Sequence, residues 1–325
     1  MNIQSQKSID IVLACDDNYA ELVAIFIESF YRTNTSFRFA KFHLLTNNIN
    51  KETIDLIKRQ IRQGEGTIST YDISNIKDLL GIQVSNTIAI SSYARLFLSD
   101  LLPNDIEKVL YIDCDIVANG DLADLWDVEL HSNLIAGVLD TLYSDNSKTA
   151  VGMRSDSGYV NAGLLLINLK AWREEDIKQE FLDVLKKYNG DVFHHDQGII
   201  NAVCENRKII VHPRFNATTT YFTHRYAYIR SLNKPFYSKE EYESAIKTPV
   251  LIHFTEGFYG RPWIKNCKHP FAKYFLELRK ITAWKDTPLR PDKRSLPLKV
   301  ISWTFLNTPI WCYNTLQKII SVLKF

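Results

Sequence analysis

The chain has 325 residues, 46% of them apolar, and a formal net charge of +2. That length and apolar content support a substantial core and argue against a disordered or low-complexity body. Arg279 to Phe325 holds nine Lys/Arg against two acids, so the remainder is net acidic and its charge does not point to nucleic acid.

"IDIVLAC" (9–15) reads as a short buried strand, and "DDNYAELVAIFIESFYRTN" after it has apolar residues at helical spacing. Asp16 and Asp17 are placed to cap that helix. "FRFAKFHLLTNNI" is a second strand, "NKETIDLIKRQIRQ" a second helix and "GEGTISTYDI" a third strand. Strand–helix alternation of this kind is the mark of a mostly parallel sheet flanked by helices. No GxGxxG follows the first strand, which argues against the usual dinucleotide grip.

"SSYARLFLSDLLP" is predicted as a helix stopped by Pro103, and "KVLYIDCD" as a strand. The sheet continues through "LIAGVLD" and "YVNAGLLLINLKAW", then a helix and strand in "HDQGIINAVCENRKIIVHP". "PVLIHF" is the last predicted strand. The pattern divides into a main α/β domain over 1–260 and a helical region over 261–325, with "TPLRPDKRSLPL" as an exposed connection.

Asp113 and Asp115 flank Cys114 where an apolar strand ends. On an extended segment their side chains point the same way, with Cys114 opposed. Two close carboxylates repel unless a cation or a proton compensates them, and a hard divalent ion such as Mg²⁺ or Mn²⁺ does so while leaving positions for phosphate. A solvated turn is the plainer alternative. His253 ends another apolar strand and is placed to be a third ligand, while Arg95 and Arg261 are cations suited to phosphate or to ordinary ion pairs. Asp196 and Gln197 open a helix, as an N-cap or as hydrogen-bonding partners of a sugar. Asn161 precedes an apolar run, with Ala162 and Gly163 allowing close backbone approach.

"ACDDNY" (14–19), "SSYARL" (91–96), "YIDCD" (111–115), "NAGLLLINL" (161–169), "HDQ" (195–197) and "HFTEGFYGRPW" (253–263) occur in that order. Together they resemble the family 8 glycosyltransferases, retaining enzymes that include glycogenin and bacterial lipopolysaccharide galactosyl- and glucosyltransferases. The resemblance covers roughly residues 9–275. It implies a GT-A nucleotide-sugar-binding fold, a UDP-sugar donor and Mn²⁺, with Mg²⁺ as the alternative ion, bridging the diphosphate. Asp113, Asp115 and His253 would be the metal ligands. Ala14, Asp16 and Asn18 would lie near uracil and ribose, and Arg95 and Asp113 would fix the donor. Asp140 and Asn161 would approach the transferred sugar, Asp196 its hydroxyls and Gln197 its reacting face. Gly257 and Arg261 would close over the diphosphate. Family members have a shorter segment after the metal histidine and a lysine where this chain has Arg261.

The activity so implied is transfer of galactose or glucose, with retention, to a saccharide acceptor in lipopolysaccharide, lipooligosaccharide or another surface glycan. Alternatives are a metal-dependent nucleotidyltransferase or phosphohydrolase, or a non-catalytic sugar-nucleotide-binding protein. Gln197 is a weak nucleophile, which favours same-face attack over two displacements.

Five cysteines without a CxxC pair suit reduced thiols in a cytoplasmic protein, and the sequence shows neither a signal peptide nor a spanning run. Residues 296–325 carry Trp303, Phe305, Trp311, Tyr313, three lysines and no acid, with Pro309 dividing them into two pieces. Cationic-aromatic composition suits peripheral contact with an anionic membrane, which places the protein at the inner face of the plasma membrane; packing on the body is the other reading.

Overall fold

The computed structural model describes residues 7–81 and 90–308. The described residues form ten strands: β1 (Lys7–Cys15), β2 (Phe37–Thr46), β3 (Gly66–Asp72), β4 (Lys108–Ile112), β5 (Ile116–Ala118), β6 (Ile135–Leu139), β7 (Val160–Asn168), β8 (Lys208–Ile210), β9 (Ala217–Thr218) and β10 (Leu251–His253).

Seven make a central sheet in the order β3-β2-β1-β4-β7-β6-β8. All neighbours are parallel except β7, which runs antiparallel to both β4 and β6. Helices Ala20–Thr33 and Lys51–Lys58 connect the parallel strands, as the early alternation predicts. The second half of β1, Ile11–Leu13, is a fully buried apolar run because both of its faces are covered. Val12 joins a core cluster with Tyr93, Phe97, Leu165, Trp172 and Phe181, while Ile11 and Leu13 join another with Phe26, Phe30, Leu110 and Leu164.

The reversal of β7 positions the site. An antiparallel strand starts where its neighbours end, so Leu164 lies beside Ile112 and Val160 beside Leu139. The carboxyl ends of β1, β4 and β6 therefore meet the first residues of β7, bringing Ala14, Asp113, Asp140 and Asn161 to one edge.

"PVLIHF" does not extend that sheet. Its β10 forms a separate three-stranded sheet with β5, antiparallel, and β9, parallel. The pairing sets His253 opposite Ile116, and the Phe254 N–H donates to the Asp115 carbonyl at 3.0 Å. Val117, Ile252 and Phe254 pack with Leu22, Ile25, Trp263, Phe275 and Leu278, which ties the small sheet to helices Ala20–Thr33 and Ala272–Arg279. The Arg279 guanidinium pairs with Glu21 in the same buried region.

"SSYARLFLSDLLP" is a 3₁₀ helix over Ile90–Phe97 followed by an α-helical turn at Leu98–Leu101, ending before Pro103. Helix Leu296–Asn307 ends ahead of Pro309; that proline, Trp311 and Tyr313 lie outside the described residues.

Candidate active site

Asp113 and Asp115 are not on a strand. β4 stops at Ile112, and residues 113–115 form a turn closed by the Ile116 N–H donating to the Asp113 carbonyl at 3.2 Å. The turn, rather than the pleat, gathers the two carboxylates and leaves Cys114 packed among apolar residues. Strand pairing stops because the Asp113 N–H makes one last bond, 2.8 Å, to the Gly163 carbonyl.

One oxygen each of Asp113 and Asp115 and one ring nitrogen of His253 lie within 4.8 Å of one another. His253 Nε2 is 3.1 Å from Asp115 Oδ1. Burial works against charge on both groups, yet their mutual attraction prevails: the imidazole is held above its ordinary pKa and the carboxyl below its own. Gly163 makes the grouping possible, since a Cβ there would lie 2.5 Å from His253 Cε1 and 2.8 Å from Asp113 Oδ2. Two carboxylates and an imidazole so placed could hold a divalent metal ion.

Arg95 organises the floor. Its buried guanidinium lies 4.3 Å from the centre of the Tyr111 ring and donates to Asp113 Oδ1 at 2.9 Å, the Ser92 carbonyl at 3.1 Å and the Ala162 carbonyl. Nε is also 3.0 Å from Asp196 Oδ2. Burial depresses a lone guanidinium, but Asp113, Tyr111 and Asp196 hold it firmly charged. With these partners Arg95 orients carboxylates instead of presenting an open fork to phosphate.

The N-cap reading of Asp196 fails. Helix His195–Val203 begins after His194, and Asp196 lies inside its first turn, buried against Arg95. Burial pushes its carboxyl above the usual range despite that partner. Two successive left-handed residues, His194 (φ 57°) and His195 (φ 52°), make the tight entry. Gly198 permits it, because a Cβ would come 2.0 Å from the Phe193 carbonyl oxygen.

Asp140, Asn161 and Gln197 form a polar row beside this floor. Asp140 Oδ2 accepts from Asn161 Nδ2 at 2.7 Å and from Gln197 Nε2 at 3.2 Å, while Oδ1 accepts the Thr141 N–H at 2.6 Å. Gln197 Oε1 accepts the Ala162 N–H at 2.9 Å. Asn201, fully buried, clamps the same helix to β7 through the Val160 N–H and carbonyl.

A cleft of about 350 Å³, within the range of small-molecule sites, opens beside this row; Asp140, Asn161, Asp196, Gln197 and His253 are not among its lining residues. The end of β1 supplies Ala14, Asp16 and Tyr19, the floor supplies Arg95, Asp113 and Asp115, and Arg261 forms a lip. Arg261 Nε is buried and has no hydrogen-bond partner among the described residues, a donor free for an anion. Asp16 does not cap the first helix, whose N-cap position is Tyr19; its Oδ1 accepts the Asn18 and Tyr19 N–H groups at 2.9 and 3.1 Å. Asp17 instead accepts the Asn50 N–H at 3.1 Å. Asn18 is exposed, outside the cleft lining, and its carbonyl is taken by Arg290. Gly257 also stands off the lining; a Cβ there would lie 2.9 Å from Thr219 Cγ2.

Sequence reasoning missed Asn216. It is fully buried, its Oδ1 lies 3.0 Å from His253 Nδ1, and its Nδ2 donates to Asn161 Oδ1 at 2.9 Å. "NAT" at 216–218 looks like a glycosylation sequon, and nothing local marks the asparagine as a partner of a residue 37 positions away.

A seven-stranded sheet with one reversed strand presents Asp-x-Asp at its carboxyl edge, and His253 from the small sheet meets it there, an arrangement of GT-A type. The family model of glycosyl transferase family 8 matches residues 10–267, and the chain belongs to that family. It is 29% identical over 266 residues to a putative glycosyltransferase of Haemophilus influenzae, covering 81% of this chain and 75% of that one. A lipopolysaccharide 1,2-glucosyltransferase of Escherichia coli is 24% identical, over 89% and 83% of the two chains. The crystal structure of the galactosyltransferase LgtC in complex with donor and acceptor sugar analogues superposes with a TM-score of 0.72 at 29% identity, covering 85% and 96%. The protein is thus a glycosyltransferase of GT-A-like fold.

Proposed function

We propose that this glycosyltransferase moves galactose or glucose from a UDP-sugar, with retention, onto a saccharide acceptor of lipopolysaccharide, lipooligosaccharide or a related surface glycan. The observation that carries the reading is the convergence of Asp113, Asp115 and His253 under a cleft whose lip holds the unpartnered Arg261 Nε. The similar E. coli chain is a lipopolysaccharide glucosyltransferase and the similar crystal structure a galactosyltransferase, which supports both the hexose and the acceptor class.

Asp113, Asp115 and His253 would hold Mn²⁺, which when bound supplies charge that neutralises the departing diphosphate. Arg261, lining the same cleft, adds a cation and can offer two hydrogen bonds where a lysine offers a point charge. The end of β1, with Ala14 and Asp16, receives uracil and ribose. Asp140, Asn161 and Gln197 set the hexose, their dipoles fixed before it arrives, so little reorganisation opposes charge development at the anomeric carbon.

Neither candidate carboxylate is free to attack. Asp140 already accepts hydrogen bonds on both oxygens, and Asp196 is paired with Arg95. Gln197 is an amide engaged at both ends. These engagements favour same-face attack, with a phosphate oxygen of the leaving UDP taking the acceptor's proton.

We propose catalysis by the main domain, 1–260, together with Arg261, and membrane contact by the exposed helix of the C-terminal region, 261–325. Helix Leu296–Asn307 leaves Leu296 77%, Val300 62% and Trp303 66% exposed, with Lys299 in the same helix and no acid. That surface suits the interface of an anionic bilayer. No helix among the described residues is long and apolar enough to cross a membrane.

The test is a turnover panel of UDP-galactose and UDP-glucose with Mn²⁺ and a range of saccharide acceptors, the product's anomeric configuration being read by NMR. An α-linked product from either donor supports the proposal. Inertness of folded protein toward both sugars with a range of saccharides would sink it.

A further inference from the structure

The Gly163 N–H can only donate, so the side-chain atom 3.0 Å away, Asn161 Oδ1, must be an acceptor. Asn161 Nδ2 then faces the Asp140 carboxylate at 2.7 Å, which requires a donor, and the orientation agrees at both ends. Asn161 Oδ1 also lies 2.9 Å from Asn216, which must present its Nδ2 there. The Asn216 oxygen is thereby left facing His253 Nδ1 at 3.0 Å. An amide oxygen accepts and never donates, so His253 carries its proton on Nδ1.

We propose that Asn216 transmits the polarity of the Gly163 N–H to His253, selecting the tautomer whose unprotonated Nε2 faces Asp113 and Asp115, and is a positioning residue for the metal. This rests on reading the site as a metal–UDP centre. Metal-ligating histidines commonly donate their second ring N–H to such an outer partner. Here the partner's own direction is fixed by backbone two residues from Asn161 in the chain's folded register.

Asp115 pulls the other way, its Oδ1 being 3.1 Å from Nε2. The two pulls differ in their alternatives. The Asp115 side chain is 17% exposed and can turn to water when no ion is bound, whereas Asn216 is wholly enclosed. Flipping Asn216 would set two amide oxygens against each other, losing a hydrogen bond that water cannot replace. The relay also joins the ion to the sugar row, since Asn161 contacts both Asn216 and Asp140.

The experiment compares wild type, Asn216→Leu and Asn216→Asp by Mn²⁺ calorimetry with UDP present, with thermal melts to confirm folding. Asp keeps an acceptor for Nδ1–H but has no donor for Asn161. The expected result is about 10- to 100-fold weaker Mn²⁺ binding in Asn216→Leu, near-normal binding in Asn216→Asp, and a lower kcat in both. Folded Asn216→Leu that binds Mn²⁺ as tightly as wild type would overturn the proposal, as would an Asp variant as weak as Leu. Nitrogen-15 NMR of the metal-free wild-type protein at alkaline pH, with His253→Gln for assignment, reads the relay without any ligand. Protonated Nδ1 and bare Nε2 support it, and the reverse pattern contradicts it. A wild type that shows the expected tautomer yet binds no Mn²⁺ would overturn the metal role of Asn216 together with the metal-centre reading, leaving the hydrogen-bond chain itself intact.

Discussion

Arg95 Nη2 lies 2.9 Å from Asp113 Oδ1 while Nε of the same guanidinium lies 3.0 Å from Asp196 Oδ2, so one buried cation holds two acids, one from the turn after β4 and one from helix His195–Val203. Arg95→Ala would leave Asp196 buried without a counter-charge, at a cost of about 3–5 kcal/mol. Arg95→Lys keeps the charge and loses the fork. Urea unfolding should place Lys between wild type and Ala in stability, and turnover should fall in both.

Gly163→Ala should separate binding from folding. The added methyl would meet His253 Cε1 and Asp113 Oδ2, side-chain atoms at the site, so the ligand set has to spread. Mn²⁺ calorimetry should show lost or severely weakened binding, while the unfolding midpoint moves by less than a Leu→Ala core cavity would cause.

Arg261→Ala removes the one lip cation with a free buried donor. A charge-assisted hydrogen bond contributes about 1.5–3 kcal/mol, so UDP affinity should drop about 10- to 150-fold. Arg261→Lys should recover part of it. Titrations of UDP at fixed Mn²⁺ would show whether the recovery occurs.

His269 gives the fold a pH dependence. It is buried against Phe222, Phe254 and Tyr259, and burial pushes its pKa down to about 4. The folded state resists protonation that the unfolded chain accepts near pH 6.5. Its contribution is therefore complete above about 6.5 and is lost as pH falls toward 4, by up to about 3 kcal/mol. Asn in its place can still accept the Phe271 N–H, which His269 Nδ1 accepts at 3.2 Å. The acid limb of the stability profile should be shallower in His269→Asn than in wild type.

Much of the main sheet is legible in the sequence, because β1, β4 and β7 each contain an apolar run, "IVLA", "VLYI" and "LLLI", set between helical patterns. The grouping of Asp113, Asp115 and His253 was legible through the family resemblance, since two acids at a strand end read equally as a solvated turn and a lone histidine as a structural residue. The turn at 113–115 was not: pleat and turn both bring alternate carboxylates together, and only pairing with Gly163 decides between them. The small sheet was hidden by size, with β9 two residues long and β5 and β10 three each. Asp196 and Asn216 depend on partners 101 and 37 residues away, distances at which local pattern carries no information.

The proposed donor site is built on Asp113, Asp115 and His253. Isothermal titration of UDP into the protein with and without Mn²⁺, repeated on Asp115→Ala, addresses it most directly. Tight binding that needs Mn²⁺ and disappears in Asp115→Ala is the predicted result. Absence of UDP binding by folded wild-type protein under either condition, or binding indifferent to both the ion and Asp115, would contradict it.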